Sequence, residues 1–283
     1  MTRIDPRHPR YASLRVRAGL ASAAREGIVV PEGLIAHGRG EAFDYLLGER
    51  TTPSARRAER MAARWLWAAR RPVISVNGNV AALAADRIAA LARARPGLRV
   101  EVNLFHRTPG RARAIADRLR RAGVREVLGV RPTARIRGLP SDRAAVDRGG
   151  IAQADLVVIP LEDGDRAEAL RRRGARIVAI DLNPLSRTSR RSHLPIVDEL
   201  GRALARIAEE LPRVRPHRIG TGRFPAFDAA AARAAALATI GRFAHRRVRR
   251  AAAPARGSPR AGARAGRRPP RGRGGRSRRT PRP

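Results

Sequence analysis

The sequence predicts an α/β fold in which a mostly parallel sheet of six strands is flanked by helices. The alternation of two kinds of segment along the chain supports this prediction. Short apolar runs, typical of strands buried on both faces of a sheet, alternate with longer segments of helical periodicity over residues 73–211. Strands that alternate with helices in this way form parallel sheets through right-handed crossovers. The predicted layout is therefore doubly wound and Rossmann-like.

The first 70 residues are predicted to be mainly helical. The segment Tyr11–Glu26 has partly periodic apolar residues and is closed by Gly27. The next segment, 28–35, is predicted to be extended and to be interrupted by Pro31 and Gly33. Two further helices are predicted over Gly38–Leu47 and Ser54–Arg70.

The strands and helices of the sheet follow from residue 73. The six predicted strands are Val73–Val76, Val100–Leu104, Val127–Val130, Leu156–Ile159, Ile177–Ile180 and Leu194–Val197. The helices between and after them are Ala81–Ala94, Gly110–Ala122, Asp165–Arg173 and Leu200–Leu211. Together with the helical segment 1–70, these elements form one predicted domain over residues 1–212.

The pattern weakens after Pro212. Residues 213–245 are predicted to be a helical extension containing one helix, Ala226–Ala244. Residues 246–283 consist almost entirely of Arg, Gly, Pro and Ala, with nothing to bury, and are predicted to be a disordered tail. Such a tail either binds nucleic acid or an acidic partner, or it is a lineage-specific or shifted-frame extension of GC-rich DNA.

The chain is strongly basic, with a formal net charge of +37. The tail holds 15 of the arginines and no acid, so the remaining residues keep a net charge of +22. All of the positive charge is carried by Arg, and Ala is abundant, which GC-rich coding DNA would also produce. We therefore do not take bulk charge as evidence of function, although it favours anionic substrates. The alternative is an Arg-rich nucleic-acid-binding protein on a Rossmann-like scaffold.

The chain contains no cysteine, which excludes disulfides, thiolate metal sites and a Cys nucleophile. A metal would therefore have to be bound by oxygen or His ligands. The sequence has no apolar run of the length that spans a membrane, and its N-terminus lacks the apolar core of a signal peptide. We expect a cytoplasmic protein that does not insert into membranes.

The loop after the fifth predicted strand is rich in groups that bind nucleotides. The apolar run 177–180 ends at Asp181, and polar side chains follow it closely. Ligands of open α/β sheets bind at the carboxyl ends of strands. Amide, hydroxyl and guanidinium groups suit ribose and phosphates. The alternative is an ordinary connection with a capping Ser or Thr. The polar residues after Asp181 are Asn183, Ser186, Arg187, Thr188 and Arg190.

Two other segments are predicted to approach an anion. In the first, Gly38 and Gly40 allow close backbone approach, and His37 and Arg39 lie beside them. In the second, Asn77 and Asn79 stand where a strand gives way to a helix, so that their amides could hold a phosphate or a carboxylate. The alternative for Asn79 is a helix N-cap.

A cluster of acids follows the fourth predicted strand. Glu162, Asp163 and Asp165 supply three oxygen ligands within four residues, which suits a Mg²⁺ ion carried by a nucleotide. Alternatively, Asp163 and Gly164 form a turn and Asp165 caps a helix. The common nucleotide-binding motifs are missing, because no glycine-rich fingerprint follows a strand in the useful place and a Walker A loop requires lysine. A phosphate site here would therefore use Arg and backbone amides.

Several blocks of the sequence closely resemble the archaeal 4-phosphopantoate–β-alanine ligase family, also called phosphopantothenate synthetase. The resemblance covers roughly residues 4–210. The blocks are HPRYASL (8–14), GLIAHGRGEAFDYLLGE (33–49), RPVISVNGNVAAL (71–83), EVNLF (101–105), ADLVVIPLEDGDRAEAL (154–170) and AIDLNPLSRT (179–188).

This resemblance implies a homodimeric enzyme of coenzyme A biosynthesis. It implies that 4-phosphopantoate and β-alanine are joined at the expense of ATP, giving 4′-phosphopantothenate, AMP and diphosphate through an acyl-adenylate. Catalysis would rest on positioning and on charge stabilisation by Arg and Mg²⁺. Nucleic acid is expected only as a nonspecific ligand of the tail.

Candidate site residues come from the polar loops described above and from the resemblance. From the loops, we expect the phosphopantoate side of the site to contain His37, Arg39, Asn77 and Asn79, and Mg²⁺ to lie near Asp163 or Asp165. At Glu199 the family often has Asn, so a backbone contact is expected there. Positions that match ATP contacts of the family are Arg17, Arg39, Asp181, Leu182, Asn183, Arg187, Thr188, Glu199 and Leu200.

Overall fold

The computed structural model describes residues 4–214 and 220–252, and its central feature is a six-stranded parallel sheet. A separate antiparallel pair, β4 with β5, lies between the third and fourth strands of this sheet along the chain. The eight strands are β1 (Pro72–Val76), β2 (Arg99–Val102), β3 (Val127–Leu128), β4 (Ala134–Arg135), β5 (Ala145–Val146), β6 (Leu156–Pro160), β7 (Arg176–Ile180) and β8 (Leu194–Ile196).

The main sheet has the strand order β3-β2-β1-β6-β7-β8, and every pair of neighbours is parallel. The chain builds the sheet outward from β1 to β3, returns to place β6 beside β1, and then builds outward in the other direction. This is the doubly wound Rossmann order, and its switch point lies between β1 and β6. The prediction of a six-stranded parallel α/β sheet is confirmed.

Helices cover both faces of this sheet. The α-helices within the described residues are α1 (Tyr11–Arg25), α2 (Pro31–Leu47), α3 (Pro53–Ala68), α4 (Gly78–Ala94), α5 (Pro109–Arg121), α6 (Gly164–Arg172), α7 (Arg187–Arg191), α8 (Leu200–Glu210) and α9 (Ala229–Ala252). None of them has the length and hydrophobicity needed to cross a membrane.

The core follows from the alternation of side chains along the strands. Ile74 and Val76 of β1 face one layer, in which α1, α3, α4, α5 and α8 pack. Val73 of β1 faces the opposite layer, which contains α6 and the segment around β4 and β5. All three side chains are fully buried, so β1 is covered on both faces, as its continuous apolar run predicted.

The structure corrects the expectation of an extended segment over residues 28–35. Helix α2 begins at Pro31 and continues to Leu47, seven residues earlier than the predicted start at Gly38. Val30 is extended and Pro31 occupies the first turn, where its missing N–H costs no hydrogen bond and its fixed φ favours the helix. Pro31 thus begins the helix, whereas the sequence analysis treated it as an interruption.

Three smaller corrections concern other helices. Helix α4 begins at Gly78 with Asn77 as its N-cap, so Asn79 lies within the helix and does not cap it. The short helix α7 was not predicted. Helix α9 extends to Ala252, so residues 246–252 are helical and the predicted start of the tail at 246 is wrong. The remainder of the predicted tail, 253–283, lies outside the described residues.

Candidate active site at the carboxyl edge of the sheet

Four loops with predicted site residues meet at one edge of the sheet. They follow β1, β6, β7 and β8, which are neighbours and parallel, so their carboxyl ends lie side by side. The loops after β1 and β6 are joined directly, because Nδ2 of Asn77 donates a hydrogen bond of 2.9 Å to the carbonyl oxygen of Leu161. This hydrogen bond spans the switch point, where a crevice is expected in a doubly wound fold.

Helix α2 lies across this edge. Near its start, the carbonyl oxygen of Gly33 accepts a hydrogen bond of 2.7 Å from Nδ2 of Asn79, and a Cβ atom at Gly33 would overlap that side chain. Farther along, Gly40 faces Leu182 after β7, and Asp44 pairs with Arg202 of α8 at 2.5 Å. Helix α2 therefore passes over the loops after β1, β7 and β8 in turn.

His37 lies in the middle of α2 and is half-buried. Its Nε2 atom is buried without a hydrogen-bond partner within the described residues. Burial lowers the pKa of the imidazole, while the charges of Glu41 and Glu199 act in the opposite direction. Burial thus favours the neutral imidazole of His37, and its Nε2 is available to a ligand at this edge.

The two arginines predicted to contact ATP from the helical N-terminal segment differ in their surroundings. Arg17 donates a hydrogen bond of 2.9 Å to Glu41, which also accepts one of 2.8 Å from the hydroxyl of Tyr45. Arg39 is exposed, and its charge acts on the Asp181 carboxylate. The structure thus brings Arg39 to the β7 loop and holds Arg17 against α2.

The β7 loop is ordered by its own side chains. The Asp181 carboxylate accepts hydrogen bonds of 2.9 Å from the Asn183 amide and 2.5 Å from the Ser186 hydroxyl. Burial raises the pKa of Asp181, whereas these two hydrogen bonds and Arg39 lower it. Oδ1 of Asn183 accepts from the Leu185 amide, and Ser186 caps α7. Asp181 and Asn183 therefore fix the loop that they begin.

The β6 and β7 loops are held against each other at α7. The hydroxyl of Thr188, which is buried, donates a hydrogen bond of 2.6 Å to the carbonyl oxygen of Glu162. Arg187 is exposed and pairs with Asp165 at 2.5 Å. A Cβ atom at Gly164 would collide with Arg187, so the close approach of the two loops requires glycine there.

The acids after β6 are occupied by other groups. Glu162 is buried and pairs with Arg166 at 2.7 Å and with Arg143. Asp163 is the N-cap of α6 and also pairs with Arg143 at 2.7 Å. Asp165 bonds Arg187, and it is Asp163, not Asp165, that caps the helix. No group of three or more His, Asp or Glu side chains suited to a metal ion occurs among residues 4–214 and 220–252.

The loop after β8 presents backbone to the site. The carboxylate of Glu199 caps α8 by accepting hydrogen bonds of 2.8 Å from the amides of Gly201 and Arg202. Leu200 is buried in the first turn of α8. The Glu199 side chain is thus engaged within its own helix.

Comparison with known proteins gives the family. A sequence model described as phosphopantothenate/pantothenate synthetase matches residues 54–242. Among curated relatives, a protein of Methanospirillum hungatei is 56% identical over 205 residues, which are 72% of this chain and 83% of the relative. The chain belongs to the phosphopantothenate/pantothenate synthetase family.

Further relatives carry the same name as the Methanospirillum protein, 4-phosphopantoate–β-alanine ligase. The protein of Methanosarcina mazei is 52% identical over 76% of this chain and 85% of its own length. That of Thermococcus onnurineus is 51% identical over 74% of this chain and 80% of its own length. The resemblance noted in the sequence is therefore confirmed at the level of the family.

Three arginines that hold the loops of this synthetase-family chain in place were not predicted from the sequence. Arg143 and Arg166 neutralise the β6 acids, and Arg202 links α8 to α2. The four-residue spacing of Glu162 and Arg166 was a readable signal, because such pairs stabilise helix ends. Arg143 gave no local signal, since its partners are distant in sequence.

Proposed function

We propose that the protein joins 4-phosphopantoate to β-alanine with consumption of ATP, releasing 4′-phosphopantothenate, AMP and diphosphate. The observation that carries the proposal is the convergence of four polar loops at the switch point beneath α2. Strong support comes from relatives at 50–56% identity that are named 4-phosphopantoate–β-alanine ligase. The proposed reaction belongs to coenzyme A biosynthesis, and we propose that it takes place in the cytoplasm.

ATP is proposed to bind along the loops after β7 and β8. The exposed Arg187 and Arg39 would face its phosphates, and Asp181 and Asn183 would hold the ribose or the adenine edge. Arg187 would exchange its exposed partner Asp165 for phosphate, which offers a bidentate acceptor of higher charge. The remaining proposed contacts are Arg17, Leu182, Thr188, Glu199 and Leu200.

The 4-phosphopantoate is proposed to lie near His37, Asn77 and Asn79. Both Asn side chains already bond backbone carbonyls, at Leu161 and Gly33. Their contribution to binding would therefore come from the backbone amides at the start of α4, which carry the positive end of the helix dipole. His37, whose Nε2 atom is available, would accept or donate one hydrogen bond to the substrate.

The proposed chemistry needs no covalent enzyme intermediate. A carboxylate oxygen of 4-phosphopantoate attacks the α-phosphorus of ATP, and diphosphate leaves. The amine of β-alanine then attacks the acyl carbon, loses a proton to solvent or to a nearby base, and displaces AMP. In both steps negative charge shifts towards phosphate oxygens, which Arg39, Arg187 and helix amides would stabilise.

We also propose a requirement for Mg²⁺, which would neutralise phosphate charge during these steps. The sequence predicts Asp163 and Asp165 as its protein ligands, but the arrangement found here does not fit them to that task. Asp163 caps α6 and pairs with Arg143, and Asp165 pairs with Arg187. Both carboxylates are therefore already engaged by arginine side chains.

A homodimer is proposed to form through the outer face of α2. Leu34, Ile35, Tyr45 and Leu46 recur on one side of this helix and are 38%, 66%, 38% and 38% exposed. Large apolar side chains that are exposed on one side of a helix favour burial against a partner. A second copy of the chain would bury them in a two-fold interface and would hold α2 over the site.

The function is tested with purified full-length protein, ATP, 4-phosphopantoate and β-alanine. We expect AMP to appear only when all three substrates are present, in amounts equal to the amide product, whereas ATP and 4-phosphopantoate alone should release no more than one diphosphate per site. Production of ADP, or AMP formation that does not depend on β-alanine, would contradict the proposed reaction. Salt-sensitive binding of nucleic acid with no turnover would favour the alternative function instead.

A further inference from the structure

Two arginines, Arg111 and Arg143, lie at the same edge of the sheet, near the ends of β1, β2 and β6. Arg111 lies in the first turn of α5, which follows β2. Arg143 lies in the short turn before β5. Neither was a candidate in the sequence, because no motif surrounds them.

The guanidinium of Arg111 is held by backbone carbonyls alone. Its Nε donates a hydrogen bond of 3.0 Å to Ile28, and its Nη1 donates one of 2.6 Å to His106. Within the described residues, no carboxylate lies within ion-pair distance of it. A half-buried cation that is held in a fixed direction by carbonyl groups, without a carboxylate at ion-pair distance, is suited to an anionic ligand.

Arg111 also lies against the N-terminus of α4. A Cβ atom at Gly78 would be 2.8 Å from Nη2 of Arg111 and would overlap the carbonyl of Ile28. Gly78 is the first residue of α4, where amides have no partners within the helix. The glycine therefore lets a guanidinium and a helix N-terminus face the same space.

Arg143 extends this group towards the switch point. The Arg143 side chain is only 8% exposed. Its Nη1 donates a hydrogen bond of 3.3 Å to the carbonyl oxygen of Asn103. The guanidinium also pairs with Glu162 and Asp163 after β6. Burial lowers the pKa of Arg111, the charge of Arg143 lowers it further, and the charge of Glu32 raises it. Because Arg143 is already paired with two carboxylates, Arg111 is the guanidinium at this edge that is suited to an anionic ligand.

We propose that Arg111, together with the first amides of α4, binds the phosphate of 4-phosphopantoate, while Arg143, which is paired with Glu162 and Asp163, neutralises the neighbouring acids. The proposal rests on the proposed function and deepens it, because it names the subsite that distinguishes 4-phosphopantoate from unphosphorylated pantoate. Guanidinium groups suit this task, since they bind phosphate oxygens through two parallel hydrogen bonds. Helix N-termini add amide donors for the same oxygens.

The position of this subsite is consistent with the proposed reaction. Neighbouring strands lie about 4.8 Å apart, so β1 and β7 are separated by roughly 10 Å. A substrate whose phosphate lies at β1 and β2 can extend across the end of β6, with its carboxylate directed towards the β7 loop. That is the side on which the α-phosphate of ATP is proposed to lie.

The test compares Arg111→Gln with Arg113→Gln, a change of an exposed arginine on the same helix. We expect Arg111→Gln to raise KM for 4-phosphopantoate roughly 10- to 100-fold, as loss of a charge-assisted contact predicts. KM for ATP and for β-alanine should change less than about twofold. The preference for 4-phosphopantoate over pantoate should fall by a similar factor. Arg113→Gln should match the wild type.

A binding measurement separates this proposal from the proposed function. Calorimetric titration with 4-phosphopantoate alone should show binding to the wild type and a weakened or lost signal with Arg111→Gln, whether or not turnover occurs. Absence of turnover with this binding difference intact would overturn only the proposed reaction. Unchanged 4-phosphopantoate binding, or a rise confined to KM for ATP, would overturn the subsite.

A second variant covers a folding defect in Arg111→Gln, which circular dichroism would reveal. Arg111→Lys keeps the positive charge and one donor but loses the planar fork. Under the proposal it binds 4-phosphopantoate more weakly than the wild type and discriminates less against pantoate. Wild-type affinity and discrimination in Arg111→Lys, combined with normal folding, would show that the guanidinium does not bind the phosphate.

Discussion

Asn77 and Leu161 connect the two central strands of the sheet at its switch point. Nδ2 of Asn77 donates a hydrogen bond of 2.9 Å to the Leu161 carbonyl, while Oδ1 accepts one of 3.0 Å from the Val80 amide and caps α4. Leu161 has a φ of 49°, in the left-handed region that non-glycine residues rarely adopt. The Asn77 side chain therefore caps the N-terminus of α4 and also stabilises the unfavourable backbone conformation of Leu161 after β6.

We expect Asn77→Ala to lower both stability and activity. The lost N-cap should cost about 1 kcal/mol, and the unpaired Leu161 carbonyl about 1 kcal/mol more. Asn77→Ser is the matched variant, because serine keeps a capping oxygen but is too short to reach Leu161. Denaturant unfolding should show that serine restores roughly half of the lost stability. Wild-type kcat/KM in Asn77→Ser would mean that the link to Leu161 has no role in catalysis.

Arg187→Ala should impair use of ATP without affecting folding. Arg187 is 59% exposed on its side chain and its partner Asp165 is 62% exposed, so the pair contributes less than about 1 kcal/mol to stability. We expect KM for ATP to rise about tenfold or more, as loss of a guanidinium–phosphate contact predicts. Asp165→Ala is the control, since it removes the pair but keeps the guanidinium. Equal KM values for ATP in the two variants would contradict the assignment of Arg187 to phosphate.

The sheet and its ligand edge could be predicted because their signals are local. A buried parallel strand such as β7 is a continuous apolar run, and the polar residues that follow it mark its carboxyl end. The hairpin of β4 and β5 could not be predicted, because strands of two residues have no periodicity. The start of α2 was missed because Pro31 has opposite meanings at the first turn of a helix and within a strand.

The site could be predicted only in part, for a related reason. The sequence indicated which residues stand at strand ends but not which groups they bond in the folded chain. Asp163 and Asp165 resemble metal ligands when read alone, yet Arg143 and Arg187 face them after folding. Arg143 lies 20 residues before Asp163 in the sequence, and its position depends on the unpredicted hairpin. Contacts made by tertiary structure in this way leave no short-range pattern.

The buried carboxyl group of Glu59 should make stability depend on pH. Burial and the nearby Asp198 raise its pKa, Arg206 and Arg202 lower it, and the net result is a pKa of about 8. Because the folded pKa exceeds the unfolded one, the folded state binds the extra proton between pH of about 4.5 and 8. The free energy of unfolding should therefore fall as pH rises through this window.

Glu59→Gln removes this titration while keeping the shape of the side chain. We expect the variant to flatten the pH dependence of the free energy of unfolding between about pH 4.5 and 8, and to raise Tm relative to wild type at pH 8. Glu209→Gln, which alters an exposed acid of α8, serves as the control and should leave the slope unchanged. An identical slope in Glu59→Gln and wild type would show that Glu59 is not the titrating group.

The outer face of α2 gives a prediction about assembly. Ile35 is 66% exposed, so Ile35→Glu should leave the folded chain intact. In the proposed dimer interface, however, the new carboxylate would be buried without a partner, which is unfavourable. Light scattering after gel filtration should report the mass of two chains for the wild type and of one chain for the variant. Val248→Glu is the matched control, because Val248 on α9 is also 66% exposed and lies outside this face. A monomeric wild type, or a variant that stays dimeric, would contradict an interface built on α2. Because α2 also lies over the site, the monomer should show a lower kcat/KM than the wild-type dimer.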